Sequence, residues 1–139
     1  MKVKSVLDNG KIPVTIKASA SLDEVLRIVT ESCRSTFPVL NAAGDVIGII
    51  PLREIRRAFL EPDVTDLVIA SDIAISEFEP IHINDTLSIA LRKLIVSGFD
   101  ELPVINEREP RKILGMVSRG DVLKAYSTGM QKALSLKNS

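Results

Sequence analysis

Phe37-Pro38-Val39-Leu40-Asn41 and Leu102-Pro103-Val104-Ile105-Asn106 are one short strand written twice, 65 residues apart. Apolar runs of this length, closed by a turn former, read as buried strands. The same offset carries Ile16 onto Ile81, Leu22 onto Leu87, Leu26 onto Leu91, Arg27 onto Arg92 and Ser32 onto Ser97 without a gap. Beyond the strand, Gly48 meets Gly115 at an offset of 67, so the turn over 106–112 is two residues longer than its counterpart. Length changes of this kind belong in surface turns. A match that runs gapless through helix and strand and slips only in a turn marks an internal duplication.

Working outward, Asn9-Gly10 is a turn signal. Ile12-Pro13-Val14-Thr15-Ile16 alternates like a short strand, with Pro13 marking an edge. Ser21-Leu22-Asp23-Glu24 is a capping box, opening an amphipathic helix with Leu22, Val25, Leu26, Ile28 and Val29 on one face. Val46-Ile47-Gly48-Ile49-Ile50 is predicted as a strand buried on both faces. Leu52, Ile55, Ala58, Phe59 and Leu60 define a second helix that stops at Glu61-Pro62. Each repeat is therefore strand, helix, strand, strand, helix, too small to bury its own sheet. The predicted fold class is α+β: two β-α-β-β-α repeats related by a pseudo-two-fold axis and packed sheet to sheet. The expected division is 1–62 for the first repeat, 63–75 for a segment lying on the body, 76–130 for the second repeat and 131–139 for a polar tail.

Composition narrows the function. Lys plus Arg and Asp plus Glu are 18 each, so no bulk charge favours nucleic acid or an anionic membrane. Trp is absent and aromatics make up 4%, leaving no stacking platform for single strands. The longest apolar runs fall far short of a spanning helix, so direct membrane insertion is not expected. Cys33 is the single cysteine and His82 the single histidine, giving no disulfide and no metal-ligand spacing. A reducing cytoplasm fits, and His82, on a strand between apolar residues, reads as structural.

The candidate site is Ile113-Leu114-Gly115-Met116-Val117-Ser118-Arg119-Gly120-Asp121. A buried strand here runs directly into a helix, since Val122, Leu123, Ala125 and Tyr126 follow at helical intervals. Ser118 and Asp121 stand at the helix start, where free N–H groups and the macrodipole suit phosphate and a carboxylate suits sugar hydroxyls. Ser-x-x-Asp is equally a capping box that needs no ligand. No nucleophile and base are paired anywhere, so no enzymatic activity is expected.

With the duplication established, the chain resembles a tandem pair of CBS domains, a Bateman module, over residues 11–127. The resemblance is carried by Phe37-Pro38-Val39 and Leu102-Pro103-Val104 and by the Gly115-to-Asp121 pattern. It implies regulatory binding of an adenosine nucleotide, ATP, ADP or AMP, in clefts between the repeats, with no cofactor required. One cleft would take Asp121, Ser118 and Arg119 from the second repeat with Thr15, Ser35 and Thr36 from the first, and Phe37 and Ile81 as apolar walls for adenine. In the other, Pro51 stands in place of the family's Ser or Thr and Glu54 in place of its Asp, so binding there is not expected; Pro51 reads as a helix start and Glu54 as a first-turn acid. Asp100 and Glu101 stand where some relatives are basic, which disfavours a triphosphate unless Arg34, Arg53, Arg56, Arg57 or Arg119 compensates. The order of Thr36 to Val39, Gly48 to Arg56, Asp66 to Ile73 and Val117 to Val122 is also similar to the cytoplasmic CBS pair of bacterial CLC-type chloride channels and transporters. That likeness implies a homodimeric module on the cytoplasmic face of the membrane, modulating an attached transport domain. The alternatives are a structural dimerisation module with vestigial clefts, or a free-standing CBS-pair sensor.

Overall fold

The structure is a computed structural model that describes residues 1–7, 13–60 and 66–137, with side chains described through Gly129. The Asn9-Gly10 turn, Ile12 and the Glu61-Pro62 stop lie outside the described residues.

The first repeat runs β1 (Ile16–Lys17), α1 (Leu22–Thr30), β2 (Thr36–Leu40), β3 (Val46–Pro51) and α2 (Leu52–Phe59). After a short helix α3 (Ala70–Ile73), the second runs β4 (Ile81–His82), α4 (Leu87–Ser97), β5 (Glu101–Asn106), β6 (Glu109–Ser118) and α5 (Arg119–Lys137). Each repeat makes a three-stranded sheet, β1-β2-β3 and β4-β5-β6, the first pair parallel and the second antiparallel. The registers keep the sequence offset: Ile16 pairs with Val39 as Ile81 does with Val104, and Val39 with Gly48 as Val104 does with Gly115. β2 lies against β5 and β3 against β6, so the sheets close on each other. Two apolar cores result, one around Ile16, Val25, Phe37, Val39 and Ile50, the other around Ile81, Leu87, Leu94, Leu102 and Val104.

The helices start where side chains replace missing backbone acceptors. Ser21 Oγ accepts the Glu24 N–H at 3.2 Å and, 65 residues on, Thr86 Oγ1 accepts that of Ile89 at 3.2 Å. Such a cap is worth about 1 kcal/mol.

Sequence expectations are corrected at four places. The strand expected over 12–16 is confined to Ile16–Lys17, residues 13–15 preceding it, and the strand that leads into the candidate site is only half-buried, with Leu114 44% exposed. β3 is buried only from Gly48 to Pro51, because Ile47 stands on the outer face, 37% exposed. Pro51 does not open a helix; it ends β3 and caps α2 with extended ψ of 155°, leaving Leu52 as first helical residue. Its ring keeps the φ of −76° proline favours.

The lead-in segments are exchanged. The Val3 N–H donates to Asp85 O at 2.9 Å, and Val3 is fully buried in the second core. The Ala70 N–H donates to Ala20 O at 2.8 Å, and Ala70 is fully buried in the first. Isolated bridges Lys2–Thr86 and Ser21–Ile69 repeat the relation. Each repeat is thus completed by the segment that precedes the other.

Candidate functional site

The end of β6 and the start of α5 build the site. The Ser118 Oγ accepts the Asp121 N–H at 3.0 Å, and Asp121 Oδ2 accepts the Ser118 N–H at 3.2 Å. The capping box read from the sequence is therefore formed, and it fixes Asp121, an exposed residue, at the helix mouth with its second oxygen free of that bond. The Arg119 N–H donates to Asp100 O at 2.9 Å, tying the helix start to the residue before β5; in the first repeat the Leu52 N–H donates to Ser35 O at 3.0 Å.

Asp121 meets the first repeat across a cavity of about 160 Å³, lined by Val6, Leu7, Pro13, Arg34, Gly115, Met116 and Asp121. Both repeats and the exchanged N-terminal segment contribute. The volume is below the roughly 300 to 1,000 Å³ usual for ligand pockets. Leu7, in its lining, packs on Gly115: a Cβ placed on Gly115 would lie 2.6 Å from Leu7 Cδ1, so a side chain there would require the end of Leu7 to shift. The counterpart contact is smaller, Ala74 Cβ standing 3.0 Å from a Cβ placed on Gly48.

Beside this cavity lies a group of charges from both repeats. Arg34 reaches Glu101 at 3.5 Å, bridging the repeats, and Arg119 reaches Asp100 at 3.7 Å. Glu101 is 7% exposed; its Oε2 and the Nε of Arg119 are buried without a partner. Burial pushes the Glu101 carboxyl above its ordinary range; Arg34 pulls it back, and the nearby Asp121 and Asp100 add to the rise. Unpaired buried groups of this kind cost about 1 to 3 kcal/mol.

The residues named from the sequence divide into two sets. Ser118, Arg119 and Asp121 stand together at the α5 start, with Thr15 and Ser35 half-buried in the first repeat. Thr36 is 2% exposed at the end of β2, and Phe37 and Ile81 are wholly buried in the two separate cores. Sequence reasoning placed Arg34 only among possible compensating charges, read Met116 only as part of the strand leading to the site and Pro13 only as an edge signal, and missed Val6 and Leu7 altogether. No local pattern marks Val6 and Leu7, because they reach the cavity through exchange of the N-terminal segment.

The pseudo-symmetric cleft is internally occupied. Phe99 stands at the position of Arg34, and the Arg53 guanidinium lies over its ring, 5.1 Å from the centroid. Glu54, at the position of Asp121, is engaged by Arg57 at 3.6 Å and Arg53 at 4.0 Å. Among the described residues no cluster of His, Cys, Asp or Glu is placed to hold a metal, and no helix is long and apolar enough to cross a membrane.

Comparison with known proteins identifies the family and matches the fold. The family profile described as the CBS domain matches residues 3–61 and 70–128. A methylated protein of Methanocaldococcus jannaschii is 26% identical over 96% of this chain and 78% of its own length. An L-aspartate semialdehyde sulfurtransferase of the same organism is 25% identical over 89% of this chain, which spans only 23% of that protein. Among solved structures, the CBS domain pair of protein MJ0100, in complex with 5′-methylthioadenosine and S-adenosyl-L-methionine, superposes with a TM-score of 0.78 at 19% identity, covering 93% of this chain and 98% of that one. CBSX2 in complex with AMP gives 0.76 at 21% identity, with 98% of both chains covered.

Proposed function

We propose that this chain, which belongs to the CBS-domain family, is a regulatory module that binds one adenosine-containing ligand in the cleft between Asp121 and Arg34. The observation that carries the reading is the joint construction of that cavity: a helix-mouth carboxylate from the second repeat faces residues of the first. A ligand seated there touches both repeats and so biases their relative arrangement, in proportion to its differential affinity for the two arrangements. Solved relatives with adenosine ligands support the ligand class. Ser118 and Asp121 would meet the ribose, with Thr15 and Ser35 across the cleft and Thr36, Phe37 and Ile81 behind them.

What the module regulates is a finer part of the same proposal. The likeness of residues 66–73 to the link of CLC-type CBS pairs supports attachment to a transport domain at the cytoplasmic face of a membrane. The match to 78% of a short relative supports the free-standing sensor instead. Exposed apolar residues on the helices, Leu26 on α1, Ile89, Ile95 and Val96 on α4, and Leu123 and Tyr126 on α5, support assembly as a homodimer.

Thermal unfolding with and without adenosine nucleotides tests the reading. A ligand at about 100 times its Kd stabilises the folded chain by about 2.7 kcal/mol, and the melting temperature should rise by several degrees. An unchanged melting temperature with adenosine, AMP, ADP and ATP, each at millimolar concentration, would leave the cleft as a structural relic in a dimerisation module.

A further inference from the structure

The carboxylates around the cleft outnumber the cations that serve them. Asp100, Glu101 and Asp121 converge there, and the two guanidiniums beside them are already turned to carboxylates, Arg34 to Glu101 and Arg119 to Asp100. Glu101 retains a buried oxygen, Oε2, with no donor. Such an acceptor calls for an N–H or a positive charge, whereas an anion there would meet the buried carboxylate of Glu101 and the exposed ones of Asp100 and Asp121.

Resting on the reading that an adenosine ligand occupies this cleft, we propose that the site is selective for adenosines whose 5′ substituent is uncharged or cationic, and selects against 5′-polyphosphates. The argument does not depend on which way the base points. If Asp121 holds the ribose hydroxyls, the 5′ carbon lies within one sugar ring of that carboxylate, inside the field that Asp121 shares with Glu101 and Asp100. Each added phosphate brings more negative charge into that field, and releasing Arg34 or Arg119 to meet it strips a carboxylate of its partner. The specificity-determining residue is Glu101, with Asp100 as its exposed helper.

Calorimetric titration of the full chain with 5′-amino-5′-deoxyadenosine, adenosine, AMP and ATP at neutral pH tests this. The expected order of affinity is that order, with ATP at least about tenfold weaker than adenosine. Glu101→Gln should narrow the gap between ATP and adenosine about tenfold. Asp100→Asn, at a side chain 73% exposed where the fold is not at stake, should narrow it about threefold in the same direction. ATP binding more tightly than adenosine, or a gap unmoved in both variants, overturns the selectivity while leaving the proposed function standing. Absence of binding by all four probes overturns both.

Discussion

Lys93 and Asp85 occupy the positions that Ile28 and Ala20 fill in the first repeat, and they show how one residue exchange changes the physics of a shared frame. The Lys93 side chain is 5% exposed, and its ammonium donates to Asp85 Oδ2 at 2.8 Å and to Pro80 O at 3.0 Å. Asp85 Oδ2 also accepts the His82 N–H at 2.9 Å. A largely buried pair held in this way, with Glu79 a further 3.8 Å neighbour of the ammonium, resists loss of either partner more than loss of both. Lys93→Ile alone should destabilise the chain by about 3 kcal/mol in urea unfolding, whereas Lys93→Ile with Asp85→Ala, which restores the residues of the first repeat, should lie within about 1 kcal/mol of the parent. Burial alone would raise the Asp85 pKa, but the Lys93 hydrogen bond, the His82 N–H and the charges of Lys93 and His82 outweigh it and hold the group below its ordinary 3.8. Its stabilising effect is present above that value and is lost as pH falls through the depressed pKa. Glu101 has the opposite sign. Its pKa is raised above 4.5, so the native state binds the extra proton, and stability declines as pH rises from 4.5 through the raised value. Glu101→Gln should abolish that decline in urea unfolding followed from pH 4.5 to 7, and leave the acid loss due to Asp85 unchanged.

Between elements, the exchanged lead-ins are the feature that shapes the clefts. Both lie against a glycine of the last strand of a sheet, Leu7 over Gly115 of β6 and Ala74 over Gly48 of β3. The two contacts differ in what can yield. A Cβ on Gly48 meets the Ala74 Cβ at 3.0 Å and the Ile75 carbonyl oxygen at 3.1 Å, and Ile75 is fixed by paired backbone bonds to Ile49 of 3.0 and 2.8 Å. The three atoms nearest a Cβ on Gly115 all belong to the end of the Leu7 side chain. Gly48→Ala should therefore cost about 1 to 3 kcal/mol, and Gly115→Ala less than about 1 kcal/mol, as measured by chemical denaturation. The same elements show where the sequence was readable. Pro38 and Pro103 with their apolar neighbours announced the strands, Ser118 and Asp121 announced the helix start, and the 65-residue offset announced the pairing registers. All of these are local signals repeated in order. The exchange of lead-ins was not legible, because Val3 and Ala70 become core residues only through contacts with Asp85 and Ala20, far away in the chain. Arg53 over Phe99 and Arg34 against Glu101 were hidden for the same reason: each joins residues from different repeats.

At the scale of the whole molecule, the duplication has left two clefts of one ancestry in different states. One keeps an exposed carboxylate at a helix mouth, facing Arg34 across a small cavity. In the other, an arginine stacked on Phe99 takes the space and two arginines engage the glutamate. On the function proposed above, a two-fold frame with one binding cleft would report the presence of a ligand through a single event per chain, rather than through two coupled ones. The stoichiometry of binding measures this asymmetry directly. Calorimetry with adenosine on the parent chain, Asp121→Ala and Glu54→Ala should give one ligand per chain for the parent, none for Asp121→Ala and one for Glu54→Ala. Loss of the Asp121 cap should itself cost only about 1 kcal/mol of stability, so the variant remains folded for the comparison. Two ligands per chain in the parent, or adenosine binding that survives Asp121→Ala and disappears in Glu54→Ala, would contradict the assignment of the working cleft.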